Sequence, residues 1–151
     1  MKKYIFIAIL LGIFNINSLA KPFELSLGVG SESKTSDSLI NIGYTAYIVD
    51  DTLRLGIGIN GSFSDEDNPF MDGLVYLGVK IKDVNIEAIG GATLSSVGNK
   101  DLTGTTIGGK IGYQFAKSHK VEAIYLSSTL EDSASVEYDR KRSSLNYVYS
   151  F

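Results

Sequence analysis

Several residue groups in this chain of 151 residues have the types and spacing to do chemistry. His119 is the one histidine, and Ser127 and Ser128 follow it, which raises histidine-assisted serine chemistry: an imidazole taking the proton of an attacking hydroxyl. SDEDNPFMD, Ser64 to Asp72, gathers Asp65, Glu66, Asp67 and Asp72, carboxylates of the kind that hold calcium. GIGING, Gly56 to Gly61, satisfies by letter the glycine pattern that cradles a pyrophosphate. Arg140, Lys141 and Arg142 are consecutive bases suited to phosphate oxygens. Each group needs an element to hold it, so the surrounding pattern decides which of them survive.

From Lys21 onward that pattern has a period of two. One face reads Phe23, Leu25, Leu27, Val29; then Ile40, Ile42, Tyr44, Ala46, Ile48; then Leu53, Leu55, Ile57, Ile59. Further runs follow at Val75 to Ile81, Val84 to Leu94, Ile107 to Phe115 and Val121 to Tyr125, and the last is Leu145, Tyr147, Tyr149, Phe151. Eight strands are expected. GIGING lies inside one of them with no helix pattern after it, so its glycines are small residues on one strand face. The acidic run lacks the spacing of a calcium loop and reads as a solvated loop. Tyr125 and Leu126 stand where Ser127 and Ser128 would want a histidine, and His119 falls in a short connection as a solvated turn residue. No metal set or cofactor is expected.

The first twenty residues, MKKYIFIAILLGIFNINSLA, are organised differently. Lys2 and Lys3 precede an uncharged apolar run from Tyr4 to Phe14, and small residues follow at Ser18 and Ala20. That is the layout of a cleaved secretory signal peptide. A spanning helix needs about 20 apolar residues, roughly twice this run before Asn15 and Asn17 interrupt it. The expected organisation is a signal peptide over 1–20 and one domain over 21–151. Losing two lysines takes the net charge from −3 to −5, an acidic balance that argues against nucleic acid. With no cysteine there is neither a disulfide framework nor a lipid-bearing cysteine after the signal. Sixteen glycines, nine tyrosines and only two prolines favour strands.

The connections alternate in length. Asp50-Asp51, Lys82-Asp83 and about Lys117 to His119 are short; about Ser31 to Ser38, Ser64 to Asp72, Ser95 to Gly104 and Leu130 to Arg142 are longer. Short turns at one end, long loops at the other and an even strand number are features of outer-membrane barrels. The polar face is consistent with this: Glu24, Arg54, Lys80, Glu87, Lys110 and Glu122 stand amid many glycines, about one charge per strand. That is too few for a water-facing surface and suits a lumen that barely accommodates its own side chains. Three acids and three bases are expected to fill it as a salt-bridge network, since an unpaired charge there is expensive; the alternative is that the network gates small ions. Simple alternation puts Tyr47 opposite Arg54, Gln114 opposite Glu122, and Lys80 opposite Asn85. With the short turns on the periplasmic side, Phe23, Tyr113, Phe115, Tyr149 and Phe151 fall together as an aromatic girdle at that membrane interface.

Lys21 to Phe151 resembles the small eight-stranded outer-membrane proteins of the OmpA transmembrane-domain, OmpX and Opa type. The most specific element is Leu145, Tyr147, Tyr149 and Phe151, similar to the C-terminal signal by which that family's barrels are recognised for assembly. KIGYQFAKSHKVEAIYL, Lys110 to Leu126, is similar to the family's strands around the third periplasmic turn. The resemblance implies an all-β, eight-stranded antiparallel up-and-down transmembrane barrel in the outer membrane of a Gram-negative bacterium. It implies outer-membrane lipids and lipopolysaccharide as surroundings, the barrel-assembly machinery as a partner during biogenesis, and a non-enzymatic envelope-structural or surface-interaction role. A narrow porin-like channel is the alternative. A lipid A-modifying enzyme ranks third, because such barrels need a catalytic histidine and generally work in the outer half, whereas His119 is in a periplasmic-side turn. Arg140, Lys141 and Arg142 would meet lipopolysaccharide phosphates at the outer rim; the loop sequences name no extracellular partner.

Overall fold

The computed structural model describes residues 23–33, 38–64, 69–97 and 100–151; the expected signal segment and the acids Asp65, Glu66 and Asp67 lie outside the described residues. Eight strands alternate in direction: β1 Phe23–Glu32, β2 Ser38–Asp50, β3 Leu53–Ser64, β4 Phe70–Ile81, β5 Val84–Val97, β6 Lys100–Ala116, β7 His119–Glu131 and β8 Glu137–Ser150. Each pairs with its chain neighbours, and β8 pairs with β1, closing the barrel. The expected closed, antiparallel, up-and-down barrel is the observed one.

Register fixes the shape. One row of partners runs Phe23, Ala46, Ile57, Val75, Gly90, Ile107, Ser127, Lys141. It returns to β1 at Ser33, ten residues above its start, where the Ser33 N–H donates to Lys141 O at 2.9 Å. That stagger tilts eight strands by about 40° and leaves a lumen only wide enough for side chains. Lumen glycines follow from the narrowness: a Cβ at Gly78 would fall on Ile86 O and Glu87, and one at Gly108 on Tyr125 O.

Two irregularities reset the alternation. At Ile48 the register of β2 against β3 shifts, so Val49 pairs with Leu55 and Asp50 with Arg54. The extra residue keeps both Ile48 and Val49 outward and turns Asp50 inward. A second shift near Phe115 makes Gln114 the partner of Lys120. The turns are therefore Asp51-Thr52, Lys82-Asp83 and Lys117-Ser118, with Lys82 at a positive φ of 56°.

Several strands reach further than the apolar pattern indicated. Ser95 to Val97, Lys100 to Gly104, and Glu137 to Arg142 were expected in loops and are strand. At these tips the faces exchange character: Thr103, Thr105, Thr129, Glu131 and Asp139 point outward, while Leu102 and Leu130 pack inward with Phe70. Tracking apolar residues alone makes the strand seem to end there.

The β7–β8 connection is organised by Asp132. Its Oδ1 accepts from Ala134 N at 2.9 Å and Val136 N at 3.1 Å, and its Oδ2 from Lys100 Nζ at 3.0 Å. Chiefly through the Val136 N–H, and then Lys100, the Asp132 carboxyl is held down at about 2. Its folded value lies below the unfolded one, so its contribution is fully present above the usual carboxylate range and is lost as pH falls through about 2. Carboxyl carbon NMR on micelle-folded protein should give a midpoint near 2 for Asp132, moving part of the way towards the ordinary range in Lys100→Ala; a normal midpoint in the parent would refute the arrangement.

A candidate functional site in the barrel lumen

Six strands build one layer of charge. The Arg54 guanidinium meets Glu24, Asp50 and Glu87, each at 2.9 Å. Lys110 Nζ lies 3.5 Å from Glu87 Oε2 and 3.2 Å from Glu122 Oε1. Lys120 Nζ lies 2.6 Å from both Glu122 and Glu24. The contacts close on themselves: Glu24, Arg54, Glu87, Lys110, Glu122, Lys120 and back to Glu24, alternating in sign all the way round. Arg54 Nε and Lys120 Nζ act here as ion-pair partners, off the hydrogen-bond directions. Tyr47 bridges the circuit, donating to Glu87 Oε2 and accepting from Lys110 Nζ, both at 2.8 Å, with the Arg54 guanidinium 3.9 Å above its ring. All six charges are 2–5% exposed.

A second closed circuit lies toward the other end. Arg142 forks onto Asp72 at 3.0 and 2.8 Å, and donates to Ser128 Oγ at 3.0 Å. Ser128 bonds Thr106 at 2.6 Å, Thr106 bonds Thr93, and Thr93 donates to Asp72 at 2.6 Å. Beside it Arg140 pairs with Glu32 at 2.6 Å. Leu74, Tyr76, Ile89 and Leu126 pack between the two circuits, and Phe70, Leu102 and Leu130 lie beyond the second. A cavity of about 20 Å³ between Thr45, Asn60 and Lys110 has room for one water. From the short-turn end a vestibule of about 210 Å³ leads down to Arg54 and Lys120, with Lys80, Gln114 and Lys117 on its walls.

The structure thus brings together Glu24, Arg54, Glu87, Lys110 and Glu122. Lys80 is not among them: it faces Asn85, as alternation indicated, but stands half-buried in the vestibule. Lys120 and Asp50 take part instead. Tyr47 pairs with Gly56 rather than Arg54, and Glu122 with Gly112 rather than Gln114, because the two register shifts had no signature in an alternating pattern. Arg140 and Arg142, expected at the outer rim with Lys141, turn into the lumen; three consecutive strand residues cannot share a face, and Lys141 alone points outward. Asp72, expected in a solvated loop, is fully buried.

On the outside, Phe23 stacks on Tyr44 at 5.9 Å, and Tyr149 meets Phe151 edge-on at 5.0 Å. Tyr113 is exposed on the same face. His119 is no solvated turn residue: it opens β7 half-buried, with Phe115 at 6.2 Å, Tyr149 at 5.3 Å, and Nδ1 bonded to the Tyr147 hydroxyl. Leu145, Tyr147 and Tyr149 pair with Val29, Leu27 and Leu25, and the Phe151 N–H donates to Phe23 O at 2.9 Å.

No protein-family model and no curated protein matches the sequence. Among solved structures, the N-terminal β-barrel domain of Pseudomonas aeruginosa OprF is similar at TM-score 0.67, 10% identical over 87% of this chain and 98% of that one. The outer membrane enzyme PagL is similar at 0.59 with 16% identity over 83% and 98%. Neisserial surface protein A is similar at 0.56 with 9% identity over 85% and 94%. The chain has the fold of the small eight-stranded outer-membrane barrels. At such identities the likeness is one of fold, and since PagL is an enzyme, this fold does not by itself decide an activity.

Removing one member of the charge circuit strands its partners. Glu87→Ala should cost the folded barrel about 3–5 kcal/mol, read from the urea midpoint of refolding into detergent or lipid. Replacing Glu87 and Lys110 together by Met should recover more than half of that loss. Equal midpoints for parent and Glu87→Ala would show that the circuit does not hold the lumen.

Proposed function

We propose that this is an integral outer-membrane barrel, exported by a signal peptide over 1–20, with a closed lumen and a non-enzymatic role in the envelope or at the cell surface. The polarity of the wall carries this reading. Val29 is 66% and Ile107 69% exposed on the outside, whereas Arg54 and Glu87 are 2% exposed within. A barrel built for water has the reverse arrangement; lipid is the solvent that suits an apolar exterior around a charged core. Closure leaves no unpaired sheet edge, a condition for crossing hydrocarbon. The aromatic group around His119 suits the interface on the short-turn side. Leu145, Tyr147, Tyr149 and Phe151 would present the alternation that barrel-assembly machinery reads.

The placement of the candidate base and of one candidate nucleophile supports a non-enzymatic role. His119 is engaged by Tyr147 at the short-turn rim, while Ser128 is locked in the circuit with Arg142 and Thr106. The vestibule favours a second reading as a narrow channel, because it reaches the charge circuit from one end. Passage would require that circuit, the apolar layer above it and the Asp72–Arg142 circuit all to open.

The mature chain, Lys21 to Phe151, refolded into liposomes should show a heat-dependent gel mobility and resist extraction by carbonate. In planar bilayers it should be silent. A protein that stays in the aqueous phase ends the membrane reading; discrete conductance steps from the folded parent transfer the lead to the channel.

A further inference from the structure

Outside the lumen, the wall has a trough of about 630 Å³ where β6, β7, β8 and β1 adjoin. Its floor is Ser143, Ala123 and Gly109, residues too small to cover the sheet; its walls are Leu145, Ile111 and Tyr125. Register explains the shape, since Ser143, Tyr125 and Gly109 form one row and Leu145, Ala123 and Ile111 the next, so that large and small residues alternate diagonally. Ser143 has a partner in the barrel, its Oγ lying 3.5 Å from Ser31 Oγ across the closing seam, but nothing in the barrel demands the glycine. A Cβ at Gly109 would meet only Glu87 O at 3.4 Å, ordinary contact, unlike the collisions at lumen glycines. A glycine within a strand weakens it, and commonly marks a place where a ligand or another backbone comes close.

The trough lies across a chemical boundary. Below it the outward residues are apolar down to Tyr147 and Tyr149; above Tyr125 and Leu145 those of β7 and β8 are Ser127, Thr129 and Lys141, while β6 stays apolar one position further, at Ile107. Lys141 stands one outward position above Ser143, opposite Ser127, and is exposed. The next outward group on β8, Asp139, is bound by Thr129 Oγ1 at 3.3 Å. The Lys141 ammonium has no side-chain partner among the described residues.

We propose that the trough and Lys141 together bind a phosphorylated, acylated glycolipid of the outer leaflet, with its acyl chains on Ala123 and Gly109 and a phosphate on the ammonium. The proposal rests on the membrane reading. The trough is continuous with the apolar belt, so hydrocarbon is its natural filling, and the boundary at Ser143 matches the junction of chain and head group. The cation is complementary to an anionic head. At the Lys141 end three connections have five residues and the β5–β6 link two, against two in every turn at the other end; that end would face outward, which selects the outer-leaflet glycolipid over a periplasmic phospholipid.

The test uses the refolded mature chain in detergent, titrated with bis-phosphorylated lipid A, dephosphorylated lipid A and phosphatidylglycerol, with occupancy read by native mass spectrometry. Ala123→Phe fills the trough; Ala92→Phe, at an exposed small position on β5 outside it, is the control for an added ring. Ala123→Phe should weaken lipid A binding about tenfold or more while Ala92→Phe stays within about twofold. Lys141→Gln should weaken the phosphorylated form about fivefold and leave the dephosphorylated form unchanged. Equal binding by the parent and Ala123→Phe overturns the proposal, as does a preference for phosphatidylglycerol. A cross-linked parent dimer that Ala123→Phe abolishes would assign the trough to a second copy instead. Gel mobility and liposome insertion are scored separately: a parent that fails to insert defeats the membrane reading itself, whereas one that inserts but ignores the trough variants defeats only this site.

Discussion

The pairing of β1 with β8 is the constraint on which the other features depend. An open sheet of eight tilted strands would expose two rows of unpaired amides and carbonyls; closure with a stagger of ten residues satisfies both rows and fixes the bore of the cylinder. From that bore follow the glycines on the inner face, the compact packing of what remains, and the need for every inward charge to find an opposite one within reach. The last residue takes part directly, through Phe151 N and Phe23 O.

Within this bore the chain solves a charge problem in two layers. Charges confined in a narrow space of low polarity are costly singly and tolerable in compensated sets. The lower layer achieves this with three carboxylates and three cations in strict alternation, Asp50 adding a further hold on Arg54. The upper layer uses a single fork, Arg142 on Asp72, completed by three hydroxyls. The apolar residues between and beyond the layers separate the two electrostatic systems from each other and from the upper mouth.

Strand number, direction and the sorting of faces were legible because alternation is a strong local signal wherever each face keeps one character. Glu24, Arg54, Glu87, Lys110 and Glu122 could be found this way, since each stands among small or polar inward neighbours. Lys120, Asp72, Arg140 and Arg142 share the inward parity of Glu122, Tyr76 and Asn146; counting by twos past the end of the apolar runs would have reached them. Asp50 was hidden by the extra residue at Ile48, which leaves no mark in composition. His119 was misplaced because its partners, Phe115 and Tyr149, come from separate strands that meet only once the barrel has closed.

The circuit of alternating charge also bears on the order of assembly. Glu24 is on the first strand and Lys120 on the seventh, with β8 lying between them in the wall. Their contact, like those of Arg54 with Glu24 and with Glu87, joins segments distant along the chain. Only the contact of Glu24 with Lys120 crosses β8, so it cannot form before β8 has met β1. The circuit that fills the core is thus completed by the same event that closes the wall, the pairing of the last strand with the first.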